Sequence, residues 1–372
     1  MTTTGTDSGR IRLGTRGSRL ALTQSGQVAE ALMAAGAPSE GSDARRDGLD
    51  IDLVTVRTDG DGDRTPLRQL GGVGVFAARL RHALLDGEVD LVVHSFKDLP
   101  TQPVEGLEVI CVPPREDPHD ALCARDGLTL ATLPDGARVG TGSPRRAAQL
   151  LAARPDLEMV DLRGNVPTRL ARVRGLEAVG VGTDEPVAPS RADAAGDLDA
   201  VVLALSGLRR LGLEHCASEV LDLETMLPAP AQGALAVEAR AGEGSAALAR
   251  AAAALDDEPT RLAVTAERAL MARLGAGCAA PVGAWAHLSG GEQEQRVLAL
   301  RAVVTSLDGG KEVGCELSAE LPEADGGPDT HGNAVAQAVR AAEALGARAA
   351  EVLLEDGAAE IVDLHANKPR RD

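Results

Sequence analysis

Aromatic residues are almost missing from this chain, which has no Tyr, two Phe and one Trp. Single-stranded nucleic acid is held by stacking bases on aromatic faces, so that class of binder is excluded. Lysine is nearly as scarce: only Lys97, Lys311 and Lys368 occur among 38 basic residues, and the other 35 are Arg. Nor is there a basic surplus, because 56 acidic residues set the formal net charge at -18. Duplex nucleic acid and anionic membranes both call for a basic face, which argues against either as a partner. No apolar run reaches the ~18 residues that a membrane span needs. Residues 1–10 are polar and lack the apolar stretch of a secretory signal, so a cytoplasmic address is expected. The five cysteines (Cys111, Cys123, Cys216, Cys278 and Cys315) are odd in number and form no CxxC pair. That pattern fits reduced thiols and no structural metal.

What the chain does have is length and a regular alternation of strand and helix patterns. Its 372 residues, 44 % of them hydrophobic, have room for two or three domains with ordinary cores. Short apolar runs at Arg12–Thr15, Ile51–Thr58, Leu91–Val93 and Leu107–Val112 read as strands, separated by helices over Arg19–Ala35 and around Phe76, Leu80 and Leu84. A second series follows, with strands at Val139–Thr141, Leu157–Leu162 and Leu198–Leu205, each leading into a helix. Charge and proline interrupt the pattern at Arg115–Pro118, and Leu227–Gly233 frames Gln232 with two prolines and a glycine. Two such interruptions predict a chain that crosses twice between two α/β lobes flanking a cleft. After Asp256 a helix over Thr260–Leu274, three strands near Trp285, Val297–Val304 and Val313–Leu317, and an Ala-rich helix over Asn333–Leu354 predict a small α+β domain.

Ionisable residues gather where the apolar runs end. The run Leu91–Val93 leads into His94, Ser95, Lys97 and Asp98 before Pro100 stops it, and in open α/β sheets ligands sit at that carboxyl edge. Taken alone, Asp98 reads equally as a turn or cap carboxylate beside Lys97. Four further strand ends carry a small or hydroxyl residue followed by Arg at the expected start of a helix. They are Thr15–Ser18 with Arg16, Thr141–Arg146 with Ser143 as cap and Arg145 and Arg146 behind it, Arg163–Asn165 with Arg169, and Ser206–Gly207 with Arg209 and Arg210. Helix amino ends favour anions, and a cation placed there is repelled by the dipole unless a bound anion compensates it. Guanidinium groups grip carboxylates in pairs of hydrogen bonds, so the set points to a ligand with several carboxylates or phosphates. Cys278, in the loop Gly275–Pro281, reads alone as a small buried hydrophobe or as a nucleophile or covalent anchor. The loop Asp59–Asp63 lacks the terminal Glu of a calcium loop, and Gly71–Gly74 lacks the rest of a nucleotide-binding fingerprint.

Taken in order, these motifs resemble one family, hydroxymethylbilane synthase, also called porphobilinogen deaminase. The resemblance covers roughly Arg12–Glu355 and rests on Arg12-Leu-Gly-Thr-Arg-Gly-Ser-Arg-Leu-Ala-Leu22, His94-Ser-Phe-Lys-Asp-Leu-Pro100, Gly140-Thr-Gly-Ser-Pro-Arg-Arg146 and Leu162-Arg-Gly-Asn-Val166 with Thr168-Arg169. Leu227-Pro-Ala-Pro-Ala-Gln-Gly233 and Gly277-Cys-Ala-Ala-Pro281 complete it. It implies an α/β fold with two lobes resembling type II periplasmic binding proteins, a double crossover and a small α+β C-terminal domain. It also implies head-to-tail condensation of four porphobilinogen molecules with loss of ammonia, on a dipyrromethane primer held by thioether to Cys278, then hydrolytic release of hydroxymethylbilane. Asp98 matches the family's catalytic aspartate. By the same match Ser95, Lys97, Thr141, Ser143, Arg145, Arg146, Arg169 and Phe76 hold the primer, while Arg16, Ser18, Arg163 and Arg210 meet incoming substrate. No metal is implied, and the expected molecule is a cytoplasmic monomer.

The expected domains are a flexible N-terminus at 1–9, a first domain at 10–113 with 234–252, a second at 114–233 and a third at 253–372. The sequence departs from the family pattern at Gln69 and Val73, where many members have Lys, and at Arg19, which replaces a common Pro. The Gly-, Ala- and Asp-rich stretch from Val179 to Asp197 is a longer connection than usual and is given no function. A non-catalytic anion-binding protein of the same two-lobed build would use the arginines but has no use for Asp98 or Cys278. A scaffold that kept the fold without the activity is the third reading.

Overall fold

Leu13 is fully buried in the first strand, and the chain is laid down around it in the order the apolar runs foretell. The computed structural model describes residues 10–37, 48–56, 75–176, 196–277, 279–290, 294–322 and 328–364. Residues 1–9, the acidic loop 59–63, Gln69, the glycines of 71–74 with Val73, Cys278, the side chain of Phe76 and all but the last two residues of the 179–197 stretch lie outside them.

Among the described residues the first lobe opens with β1 (Arg10–Thr15), α1 (Arg19–Ala35), β2 (Asp50–Thr55), α2 (Val75–Leu85), β3 (Leu91–Ser95) and β4 (Leu107–Cys111). The chain then enters the second lobe: β5 (Asp120–Ala124), β6 (Arg138–Gly140), α3 (Pro144–Ala153), β7 (Glu158–Val160), α4 (Val166–Leu170), β8 (Ala200–Ala204), α5 (Leu205–Arg210) and β9 (Glu219–Val220). It returns to the first lobe for β10 (Leu235–Arg240) and α6 (Ala246–Leu255). The C-terminal part holds α7 (Glu258–Leu274), β11 (Val282–Ser289), β12 (Val297–Thr305), β13 (Glu312–Glu320), α8 (Pro328–Glu355) and α9 (Ala358–Ile361). Among the described residues, passages at 114/115, 234/235 and 258/259 divide the chain into two compact units. The C-terminal part belongs to the same unit as Arg115–Ala234.

In the first lobe the sheet order is β2-β1-β3-β10-β4. β1 runs parallel to β2 and β3, with Leu13 opposite Leu53 and Leu91, while β10 enters antiparallel, with Leu235 opposite Ser95. The carboxyl ends of β1 and β3 therefore share one edge. Alternation along β3 sends Leu91 and Val93 into the core under α1 and α6, and Val92 into the cluster under α2.

In the second lobe the order is β7-β6-β8-β5-β9. β6 is parallel to β7 and β8, and β5 runs antiparallel to β8, with Asp120 opposite Ala204. The first residue of β5 thus lies at the edge where β6, β7 and β8 end. In the C-terminal part, β11, β12 and β13 form an antiparallel sheet whose alternate residues, among them Ala284, Leu300 and Ala302, pack with Leu262 and Leu270 of α7 and Ala342 and Leu353 of α8. A Cβ at Gly346 would strike the Ala266 carbonyl, so glycine there lets α8 close on α7.

Candidate active site

On the first lobe the site is assembled from the two adjoining strand ends. Ser18 caps α1, its side chain accepting from the Ala21 N–H at 3.3 Å, and Arg16 stands two residues ahead of that cap. Ser95, at the end of β3, donates from its hydroxyl to Gln24 Oε1 at 3.2 Å, which ties the strand end to α1. The chain then turns through a single 3-10 helix, Phe96–Asp98. Phe96 and Leu99 are both buried and pin the turn at its two ends, so Lys97 is half-buried and Asp98 is exposed. An exposed carboxylate on a turn fixed by two buried side chains is pre-positioned and still reachable.

On the α2 side of the sheet lies an ion cluster of which the sequence motifs hold only His94. Arg81 of α2 grips Glu238 of β10 through Nε and Nη2 at 2.7–3.1 Å, and His94 Nε2 lies 3.2 Å from the same carboxylate. All three side chains are buried. Burial alone would raise the Glu238 pKa, but the hydrogen bonds and charge from His94 and Arg81 outweigh it and leave the carboxyl below its ordinary value.

On the second lobe, Ser143 is the cap the sequence predicts, accepting from the Arg146 N–H at 3.4 Å, and Pro144 takes the first helical position of α3. Thr141 is buried and accepts from the Ser143 N–H at 3.2 Å. Gly142 is needed because a Cβ there would stand 2.5 Å from the Leu162 carbonyl, so the loops after β6 and β7 run in contact. Arg163 follows directly on that contact, and its Nε is buried without a hydrogen-bond partner. Asn165 caps α4, accepting from the Thr168 N–H at 2.9 Å, and Arg169 Nε donates to the Gly164 carbonyl at 2.8 Å.

The structure places two sets of arginines otherwise than the sequence predicts. Arg169 and Arg210 were expected at helix starts, yet α4 and α5 are five and six residues long, so both arginines fall in the last turn, where the dipole favours a cation. Arg209 sits there too, and pairs with Glu116, Asp117 and Glu214. Arg145 and Arg146 do lie in the first turn of α3, but the anion that compensates them belongs to the protein. Asp120, fully buried, accepts from Arg145 Nη2 at 2.7 Å and from Arg146 Nε and Nη2 at 3.0 and 2.7 Å. The signal in the sequence was Asp120 itself, a carboxylate at the head of an apolar run.

Two buried guanidiniums against one carboxylate leave one net positive charge on this trio. Arg145 Nε, like that of Arg163, is buried without a hydrogen-bond partner. Arg210 Nη2 donates to the Gly233 carbonyl at 2.7 Å, and burial lowers its pKa against the opposing charge of Glu116. Guanidinium donors left over at the end of a capped helix fit a ligand bearing carboxylates, and a dipyrromethane carrying acetate and propionate groups is of that kind.

Fold and site together define an α/β protein whose strand ends carry guanidinium groups, with the exposed Asp98 carboxylate at the end of β3. Residues 11–247 match the family described as porphobilinogen deaminase, dipyromethane cofactor binding domain, and residues 261–355 match the porphobilinogen deaminase C-terminal domain. Curated relatives agree: porphobilinogen deaminase of Cutibacterium acnes is 51 % identical over 97 % of this chain and 99 % of its own, and that of Micrococcus luteus 50 % identical over 94 % and 93 %. This chain belongs to the porphobilinogen deaminase family. Among solved structures, the ectoine-binding protein TeaA of a TRAP transporter overlaps 67 % of this chain and 77 % of its own at 12 % identity and a TM-score of 0.33, too weak a likeness to argue from.

Proposed function

We propose that this chain carries out the porphobilinogen deaminase reaction of tetrapyrrole and heme biosynthesis. Four porphobilinogen molecules are joined head to tail with loss of ammonia, and hydrolysis releases hydroxymethylbilane. The observation that carries this reading is membership of the family across both matched regions. When bound, the dipyrromethane supplies the pyrrole end on which the product grows. Cys278 is proposed as its thioether anchor.

The chain's own residues then have distinct tasks. Loss of ammonia from an aminomethylpyrrole, and attack on the resulting electron-poor ring, both put positive charge beside a pyrrole nitrogen. The Asp98 carboxylate is assigned to stabilise that charge and to take up and return the proton at the nitrogen. Its exposure on a turn fixed by Phe96 and Leu99 supports the role. Ser95, Lys97, Thr141, Ser143, Arg145, Arg146, Arg169 and Phe76 are assigned to the primer, whose carboxylates the cations neutralise. Arg16, Ser18, Arg163 and Arg210 are assigned to the acetate and propionate of each incoming substrate; the partnerless Arg163 Nε supports this. No described helix is long and apolar enough to cross a membrane, and a cytoplasmic monomer acting on free substrate is proposed.

The intact mass of the purified protein tests the assignment. It should exceed the sequence mass by two linked pyrroles, and Cys278→Ser should purify without that excess. A chain of bare sequence mass that still turns porphobilinogen over would sink the anchor.

A further inference from the structure

Arg145 and Arg146 are consecutive residues in the first turn of α3, and consecutive helical side chains leave the axis about 100° apart. They nevertheless converge on one carboxylate. Asp120 gives each its own oxygen: Oδ2 accepts from Arg145 Nη2 at 2.7 Å, while Oδ1 accepts from Arg146 Nε and Nη2 at 3.0 and 2.7 Å. Oδ1 also accepts from Gln232 Nε2 at 2.9 Å, and Gln232 Oε1 accepts from Arg146 Nη2 at 3.4 Å. Asp120 and Gln232 are both wholly buried.

The two partners reach the arginines along different stretches of chain. Asp120 ends the first crossing segment and Gln232 lies in the second, where its Nε2 also donates to the Pro118 carbonyl at 2.7 Å. Arg146 is further fixed by Nη1 donating to the Val202 carbonyl at 3.1 Å, and Arg145 Nη1 donates to the Leu227 carbonyl. Hydrogen bonds thus hold both guanidiniums in place, with Arg145 Nε, buried and without a partner, as the donor left over.

We infer that Asp120 and Gln232 are positioning residues for cofactor capture: they draw Arg145 and Arg146 together and present them, as a pair of fixed orientation and single net charge, to the carboxylates of the dipyrromethane. The inference rests on the reading above that these arginines hold the primer. Asp120 touches neither substrate nor primer in this scheme. It acts through the guanidiniums.

Asp120→Asn is the decisive variant, because an amide has one oxygen and must turn its NH2 toward one of the two guanidiniums. The measurement uses full-length chain expressed without porphobilinogen synthesis, mixed with porphobilinogen, and followed by intact mass and thermal midpoint over a range of salt. The folded variant should gain mass at least about tenfold more slowly than wild type, the equivalent of one lost charge-assisted hydrogen bond, and with a steeper salt dependence because one more positive charge is uncompensated. Gln232→Met keeps both charges and the side-chain length but removes the bridge. It should also slow capture, without the change in salt dependence, and it decides the question should Asp120→Asn not fold.

A merely structural role would lower the midpoint and leave the rate of mass gain of the folded protein unchanged, which would overturn the inference. Faster capture by Asp120→Asn would overturn it too, by showing that Asp120 only dilutes the positive charge. Arg145→Ala and Arg146→Ala separate the two levels. If they capture at the wild-type rate, the arginine reading falls and takes this inference with it. If they are slow while Asp120→Asn and Gln232→Met are not, the inference alone falls.

Discussion

Glu238 is 2 % exposed and keeps its charge only because Arg81 and His94 reach it from neighbouring elements. Removing the carboxylate leaves the Arg81 guanidinium unpaired in a dry interior. Glu238→Ala should therefore cost about 3–5 kcal/mol in urea denaturation, with Arg81 left uncompensated. Asp98→Ala presents the opposite case. Asp98 is exposed, so its loss should change stability by less than ~0.5 kcal/mol while turnover falls to background; near-normal product formation would remove Asp98 from the chemistry. The thiols divide in the same way. Burial pushes Cys123 up to about 12 and Cys315 up to about 11, so neither is a thiolate at pH 8, and alkylation of the folded protein followed by peptide mapping should leave both unlabelled. Residue types were legible in the sequence, but their partners were not. Nothing local tells that Asp120 and Arg145 meet, because they stand 25 positions apart in the chain, with β6 between them.

Elements with strong local signals were read almost to the residue. Ser18 and Gly36 bracket α1 as their capping chemistry demands, and Ser143 with Pro144 opens α3. The short helices end sooner than expected: Arg169 is the fourth of five residues and Arg210 the last of six, which makes both last-turn rather than first-turn residues. β5 and β10 carry no local signal that sets them apart, since their pairing partners are far away in the chain. At this scale the turn between β12 and β13 makes a sharp prediction. Gly309 has φ +73°, and a Cβ there would press on Leu151 and the backbone of Ala152 in α3. Both strain and overlap oppose a side chain, so Gly309→Ala should destabilise by about 1–3 kcal/mol, whereas Gly310→Ala, whose nearest contacts lie at 3.4 Å, should cost far less. Equal denaturation midpoints for the two variants would refute the docking of that turn on α3.

Over the whole molecule, acid stability follows from the buried carboxylates. Burial raises the Asp120 pKa, but Arg145 and Arg146 outweigh it and hold the carboxyl well below its ordinary value; Glu238 is lowered as well. A group with a depressed folded pKa binds its proton more readily in the unfolded chain. Its stabilising effect is complete above the unfolded value of about 4 and is lost as pH falls toward the folded one. The net charge of -18 at pH 7 works the other way, since self-repulsion eases as pH drops toward the isoelectric point near 4.9. Stability should accordingly hold or rise slightly from pH 7 to about 5 and then fall steeply below about 4, with Asp120→Asn lacking up to ~1.4 kcal/mol per pH unit of that acid slope. Denaturation at a series of pH values checks both limbs. The two-lobed plan itself was legible in the proline-marked interruptions at Arg115–Pro118 and Leu227–Gly233, which lie where the chain passes between compact units.

β10 lies between β3 and β4, although more than a hundred residues separate it from either in the chain. During synthesis β3, which leads into the Asp98 turn, must therefore leave the ribosome and wait with one edge unpaired until residue 240 emerges. A nascent chain halted at residue 234 has no means of closing that gap, and the first lobe matures only after nearly two thirds of the polypeptide has been made.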